Sequence, residues 1–153
     1  MKINNLKELE AIVIRAIETS MSNEGSAIRQ SIEQVVDDTT ETMVYDRYEP
    51  KNYQRRGEDG GLLGADIEAT KKAASANSLT YEIEQNALGN FTGIEYTEDL
   101  APTINEGWGD KMQPYNKPSQ HLDFLNENLA SALGSDALKS IKSDLRTLGY
   151  DVK

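Results

Sequence analysis

Residues 44–64 restrict this chain more than any other stretch of it. They read Val44-Tyr45-Asp46-Arg47-Tyr48-Glu49-Pro50-Lys51-Asn52-Tyr53-Gln54-Arg55-Arg56, followed by Gly57, Gly60, Gly61 and Gly64. Pro50 has no amide hydrogen to give a helix, and four closely spaced glycines make a regular element entropically costly. No continuous helix passes through this region, so whatever precedes it and whatever follows it are laid down as separate elements. The expectation is an extended, aromatic-rich arm ending in turns. Loops of this length within a small domain are as a rule functional or disordered.

Before the arm the pattern is helical over residues 5–42. Leu6, Leu9, Val13, Ala16 and Ile17 recur at spacings of three and four, as do Ile28, Ile32, Val35, Val36, Thr39 and Met43. Ser22-Asn23-Glu24-Gly25 interrupts the run, and the preferred reading is two helices meeting at Gly25. After the arm the period changes. Leu79-Thr80-Tyr81-Glu82-Ile83-Glu84 alternates apolar and polar residues, as a half-buried strand does. A short antiparallel sheet within residues 79–108 is expected, with turns at Gly89–Gly93 and a long loop marked by Gly107, Gly109, Pro114 and Pro118. Helical spacing returns at Ser119 with Leu122, Leu125, Leu129 and Leu133, and stops at Gly134. Ser135 then caps a last helix carrying Leu138, Ile141, Leu145 and Leu148, which Gly149 ends. The expected segments are helices at 119–133 and 135–148, and the fold class is α+β.

At 153 residues the chain has the length of one domain, with an arm at about 44–64. Its hydrophobic fraction of 37% is lean, which suits a protomer that completes its burial against neighbours. A net charge of −10, from 16 basic and 26 acidic residues, argues against a protein that coats duplex DNA, because gripping phosphates needs clustered Lys and Arg. With no cysteine there is neither a disulfide framework nor a thiolate metal site, and one histidine, His121, excludes an imidazole-rich one. No apolar run has the length of a membrane span, and no signal-peptide core stands at the N-terminus. No membrane and no cofactor enter the reading.

Within the arm, Tyr45, Tyr48 and Tyr53 are interleaved with Arg47, Lys51, Arg55 and Arg56 against only Asp46 and Glu49. Tyr and Arg are enriched where proteins meet, so a subunit interface is the first reading. The alternative is a nucleic-acid-binding module using residues 45–56, with rings stacking on bases and cations on phosphates. Gly57-Glu58-Asp59-Gly60-Gly61 lacks the Gly-Lys-Ser/Thr ending of a phosphate loop, and its two acids would repel a phosphate, so it reads as a turn. Asp37-Asp38 lies on a helix. Glu95, Glu98 and Asp99 cluster where a cation site is conceivable, yet their spacing matches no calcium loop. His121 precedes an apolar helix face, where the residue more often caps or packs than catalyses. Trp108, between two glycines, is either a loop anchor in a core groove or an interface hot spot. No constellation meets the requirements of a catalytic site, and no enzyme activity is expected.

Val44, Tyr45, Tyr48, Pro50, Tyr53, Arg55 and Arg56, followed by Gly60-Gly61-Leu62, form a pattern V-Y-x-x-Y-x-P-x-x-Y-x-R-R…G-G-L. This stretch resembles the signature of the neck and tail-completion (head–tail joining) proteins of long-tailed bacteriophages. The later order of a strand pair at Ile83–Asn86, Glu106-Gly107, Pro114-Tyr115 and a helix at 119–133 is similar to that family too. The chain departs from it where Gln113-Pro114-Tyr115 replaces a common Arg-Pro-Phe. The resemblance implies an α+β structural virion protein, made in the host cytoplasm and assembled as a homo-oligomeric ring at the portal-to-tail passage. Its partners would be copies of itself and other phage neck or tail proteins, with phage DNA passing close by. The interface residues expected from the Tyr/Arg-rich arm are Tyr45, Tyr48, Tyr53, Arg55 and Arg56, with Trp108 from the later loop.

Overall fold

The structure is a computed structural model that describes residues 5–47, 62–63, 65–75, 78–86, 88–91, 94–106 and 118–152. It is α+β: helices at both ends of the chain, with two-stranded sheets between them. The chain forms two compact units that interleave in sequence, one from Met1–Glu33, Ala69–Ile83 and Leu133–Lys153, the other from Gln34–Glu68 and Glu84–Ala132.

In the first unit, α1 (Leu6–Met21) starts on Asn5, whose side-chain oxygen accepts the Glu8 N–H at 2.9 Å. The helix ends at Ser22, and a turn held by Gly25 N–H to Asn23 Oδ1 (3.0 Å) leads into α2 (Ala27–Thr40). Two helices therefore part where the sequence placed the break. The start of α2 is capped from two directions. Ser26 Oγ accepts the Arg29 N–H at 3.3 Å and donates to the Ser20 carbonyl at 2.7 Å. The buried carboxylate of Asp144 accepts the Ala27 and Ile28 N–H groups at 2.7 and 3.1 Å. A negative group over the first-turn amides satisfies two orphan donors and complements the helix dipole. Ser31 and Ser140 share a hydrogen bond of 2.6 Å beside this contact. Ala16, Met21, Ile28, Ile32 and Leu145 supply the buried apolar side chains of the unit.

The last helical stretch, α4 (His121–Thr147), is broken at Gly134, whose φ of 48° and ψ of −129° only glycine adopts readily. The two expected C-terminal helices are the two parts of this element. Its end closes on Gly149 at φ 88°, with Gly149 N–H to Arg146 O and Tyr150 N–H to Leu145 O both at 2.9 Å, the bonding of a Schellman cap.

β1 (Asp66–Ser75) pairs with β2 (Ser78–Asn86), and the two residues between them permit only an antiparallel hairpin. The expected strand at 79–84 lies within β2. β1 was not expected: from Lys71 to Ser75 every residue is exposed, so no alternation marks it. Pairing with β2, the Lys72–Glu82 ion pair and the Lys71–Glu18 contact to α1 hold it instead. β3 (Leu88–Phe91) and β4 (Ile94–Asp99) form a second antiparallel pair, matching Phe91 with Ile94 and Asn90 with Glu95, with a register shift before Leu88 meets Asp99.

Three boundaries differ from the sequence reading. The sheet window drawn to residue 108 ends at Asp99, because α3 (Leu100–Glu106) begins there. Pro102 falls in its first turn, where a missing N–H leaves no helical bond unmade. The N-terminal helical region runs past residue 42, because α2 continues into a π-helical turn at Glu41–Tyr45. The helix expected from Ser119 starts at His121.

The buried Asp144 carboxylate yields a direct test. Asp144→Ala leaves two first-turn N–H groups without an acceptor and should cost about 2 kcal/mol in urea denaturation. Asp144→Asn, which keeps one acceptor oxygen, should cost about half of that.

Candidate functional site

The Tyr/Arg-rich segment is flanked in the second unit by Arg47 before it and Leu62 after it, and both flanks are fixed. The π-helical turn inserts one extra residue per turn, closed by Asp46 N–H to Glu41 O at 2.8 Å. Val44 and Tyr45, on this turn, pack against a small cluster built on Leu62 (0% exposed) and Ala101, together with Ala65, Ile104 and Leu122. Leu62 lies in no helix or strand, so its buried backbone needs partners from elsewhere. The Tyr45 hydroxyl accepts its N–H at 3.0 Å. The Gln85 amide donates to its carbonyl at 2.7 Å and to Thr40 Oγ1 at 3.3 Å. Thr40 and Gln85 are themselves buried, so water does not compete for these bonds.

A second joint lies beside the first. Arg47 donates to the Ser119 carbonyl at 3.1 Å and reaches the Pro118 carbonyl at 3.5 Å. Ser119 N–H bonds to Ile104 O at 3.1 Å, and Gln120 N–H to Asn105 O at 3.2 Å. Asn105 is buried and caps α4 across the chain: its Oδ1 accepts the Leu122 N–H at 2.8 Å, and its Nδ2 donates to Asp123 at 3.2 Å. Glu106, at the end of α3, and Pro118 flank Trp108 in the sequence, and Pro118 lies next to Arg47, which precedes the Tyr/Arg-rich segment. His121, fully buried, sits in this joint with Nδ1 2.6 Å from Ser119 Oγ. Burial pushes its pKa down from 6.5 to about 4, only partly offset by Asp123, so the ring is neutral at pH 7.

Of the residues expected at an interface, Tyr45 lies at the foot of the segment with its hydroxyl turned to Leu62 of the same unit. Tyr48, Tyr53, Arg55, Arg56 and Trp108 lie outside the described residues, as does Lys51. Arg47, a phosphate contact in the nucleic-acid reading, here spans to main-chain carbonyls. Glu95, Glu98 and Asp99 all fall on β4, whose side chains lie outside the description. Among the described residues no group of three or more His, Cys, Asp or Glu side chains could hold a metal ion.

Thr40, Gln85 and Asn105 were missed in the sequence reading, and Leu62 entered it only as the end of the Gly-Gly-Leu signature. For Gln85 a signal existed: it continues the inward phase of Leu79, Tyr81 and Ile83 along β2, and a polar residue on an inward phase needs a buried partner. Asn105 carried no such mark, because its partners come from a distant part of the chain.

A family model, YomN, matches residues 5–147, which takes in both joints and every element from α1 to α4. The chain belongs to the YomN family. That family is phage-derived, which is consistent with a phage protein. Neither a curated protein nor a solved structure matches the chain. No helix among the described residues of this YomN-family chain is long and apolar enough to cross a membrane.

The Leu62 clamp can be tested through its two side chains. Tyr45→Phe leaves a buried N–H without an acceptor and should cost about 1–2 kcal/mol, with faster exchange of the Leu62 amide. Gln85→Glu sets a carboxylate against the Leu62 carbonyl and should cost about 3 kcal/mol or more at pH 7, less once the acid is protonated. Thermal melts at pH 7 and pH 4 separate the two variants.

Proposed function

We propose that this YomN-family protein is a structural component of the phage head–tail junction that acts by assembling into a ring, not by catalysis. The observation that carries this reading is the pair of joints. The residues on either side of a segment rich in Tyr and Arg are held by buried and part-buried bonds, and Pro118, which follows Trp108 in the sequence, lies beside Arg47. Rigid feet lower the entropy lost when such a segment docks, and Tyr, Trp and Arg are the side chains that carry most binding energy at interfaces.

The partners in this reading are further copies of the chain and other phage neck or tail proteins. Large apolar side chains remain on the surface of each unit. Leu6 is 68% and Leu138 59% exposed in the first, and Phe124 is 43% exposed in the second. Neighbouring copies would cover such side chains in a ring. A chain of net charge −10 lining a passage repels DNA phosphates and lets the genome slide past without adhering. The resemblance in residues 44–62 to head–tail joining proteins points the same way.

The test is the double variant Tyr53→Ala, Arg56→Ala. As a monomer it should melt within about 0.5 kcal/mol of the parent if the segment serves an interface and not the core, because substitutions away from a core alter stability little. Assembly measured by native mass spectrometry should fail, since a loss of about 2 kcal/mol per contact recurs at every interface of a ring. Phage carrying it should yield filled heads without joined tails. Normal tailed particles would defeat the proposal. Loss of DNA binding with a steep salt dependence in the parent protein would point instead to a nucleic-acid-binding module.

A further inference from the structure

The only histidine of the chain is placed where its protonation has to be felt. His121 is 0% exposed, its Nδ1 is shared with Ser119 Oγ at 2.6 Å, and its Nε2 has no hydrogen-bond partner among the described residues. A neutral ring needs partners for one N–H and one lone pair, so burial already leaves it one short. A protonated ring turns Nε2 into a charged donor with nothing to receive it, a far more costly state in a dry site.

The backbone around the ring is held closed against a local strain. Gln120, the residue just before it, adopts φ 58°, the left-handed region that glutamine rarely enters. It is kept there by Gln120 N–H to Asn105 O and Ser119 N–H to Ile104 O on one side, and by Leu122 N–H to Asn105 Oδ1 on the other. Opening this joint releases the strained residue and admits water to Nε2 in one movement.

We propose that the joint between α3 and α4 is an acid-released latch whose moving part is His121. The charged groups around it do not reverse the effect. Asp123, on the same helix, favours the imidazolium, but its carboxylate is shared with Asn105 Nδ2. Arg47, which reaches the Ser119 carbonyl from the turn after α2, adds positive charge at the same place. The α3 residues bonded to the joint, Ile104 and Asn105, are neutral, and Glu106 beyond them is exposed. Because burial holds the ring near pH 4 in the closed joint against 6.5 when open, the closed form binds fewer protons. The closed joint is therefore fully favoured above pH 6.5 and loses ground as pH falls from 6.5 towards 4. Between pH 7 and pH 5 the ratio of open to closed joint should rise about twentyfold.

One histidine gives one imidazole resonance, so the full-length protein is its own probe. NMR titration of His121 should give a midpoint well below 6.5. In the same samples the protection factors of the Ser119 and Gln120 amides should fall about twentyfold from pH 7 to pH 5. That of the Tyr150 amide, bonded to Leu145 O in the other unit, should stay level over this range. His121→Asn, which can still bond Ser119 without titrating, should abolish the pH response. A midpoint at 6.5, a fall shared equally by Tyr150, or an unchanged fall in the variant would each overturn the latch. If the variant does not fold, the titration and the amide comparison in the parent protein decide the matter.

Discussion

Leu62 is held in three ways at once, and the second unit is organised around that. Its side chain is fully buried, its N–H is taken by Tyr45 and its carbonyl by Gln85. A backbone without secondary structure can be buried only if side chains replace the ladder that a helix or strand would provide. Each of the two side chains that do so stands on a regular element, Tyr45 on the π-helical turn and Gln85 on β2. The extra residue in the π-helical turn matters here, because it rotates Tyr45 relative to the α2 ladder and brings the hydroxyl onto Leu62. The residues that flank the glycine-rich, proline-containing segment are thereby fixed, which lowers the entropy lost when an assembly uses it.

The first unit solves a parallel difficulty with a charge. A turn of polar residues, Ser22–Ser26, opens α2, whose first-turn amides need acceptors from outside the helix. Asp144, far away in sequence, meets two of them. Salt bridges contribute little beside this: Lys71–Glu18, Lys72–Glu82 and Lys139–Asp136 are exposed, and such pairs are worth at most about 1 kcal/mol. Both units therefore rest on small apolar clusters tied by a few buried polar bonds, which fits a lean composition and a protein that the ring proposal completes with neighbours.

The first unit also shows where sequence pattern and outcome agree. Asn5, the turn at Ser22–Ser26, Gly134 and Gly149 all act through local backbone chemistry, and all four helix boundaries they mark were legible from residue type and spacing. The strand at Leu79–Glu84 was legible for the same reason, since one of its faces is half-buried. β1 was not, because its outer half buries neither face and takes its conformation from its partner strand. α3 was hidden by Pro102, whose meaning depends on whether a helix starts two residues earlier.

The sequence by itself determined the α+β class, the order of the main helices, the place of the Tyr/Arg-rich segment and its likeness to phage proteins. These depend on periodicity, on glycine and proline, and on a run of residues read in line. Only the tertiary structure decided which groups fix the segment's ends. Tyr45 with Leu62, Gln85 with Thr40 and Arg47 with Ser119 do so, and Asp144 caps α2 at Ala27; these bonds join positions 17 to 117 residues apart. A hydrogen bond leaves no periodic trace in the sequence when its partners come from distant elements. The protonation state of His121 belongs to the same class, because burial by residues remote in the chain sets it.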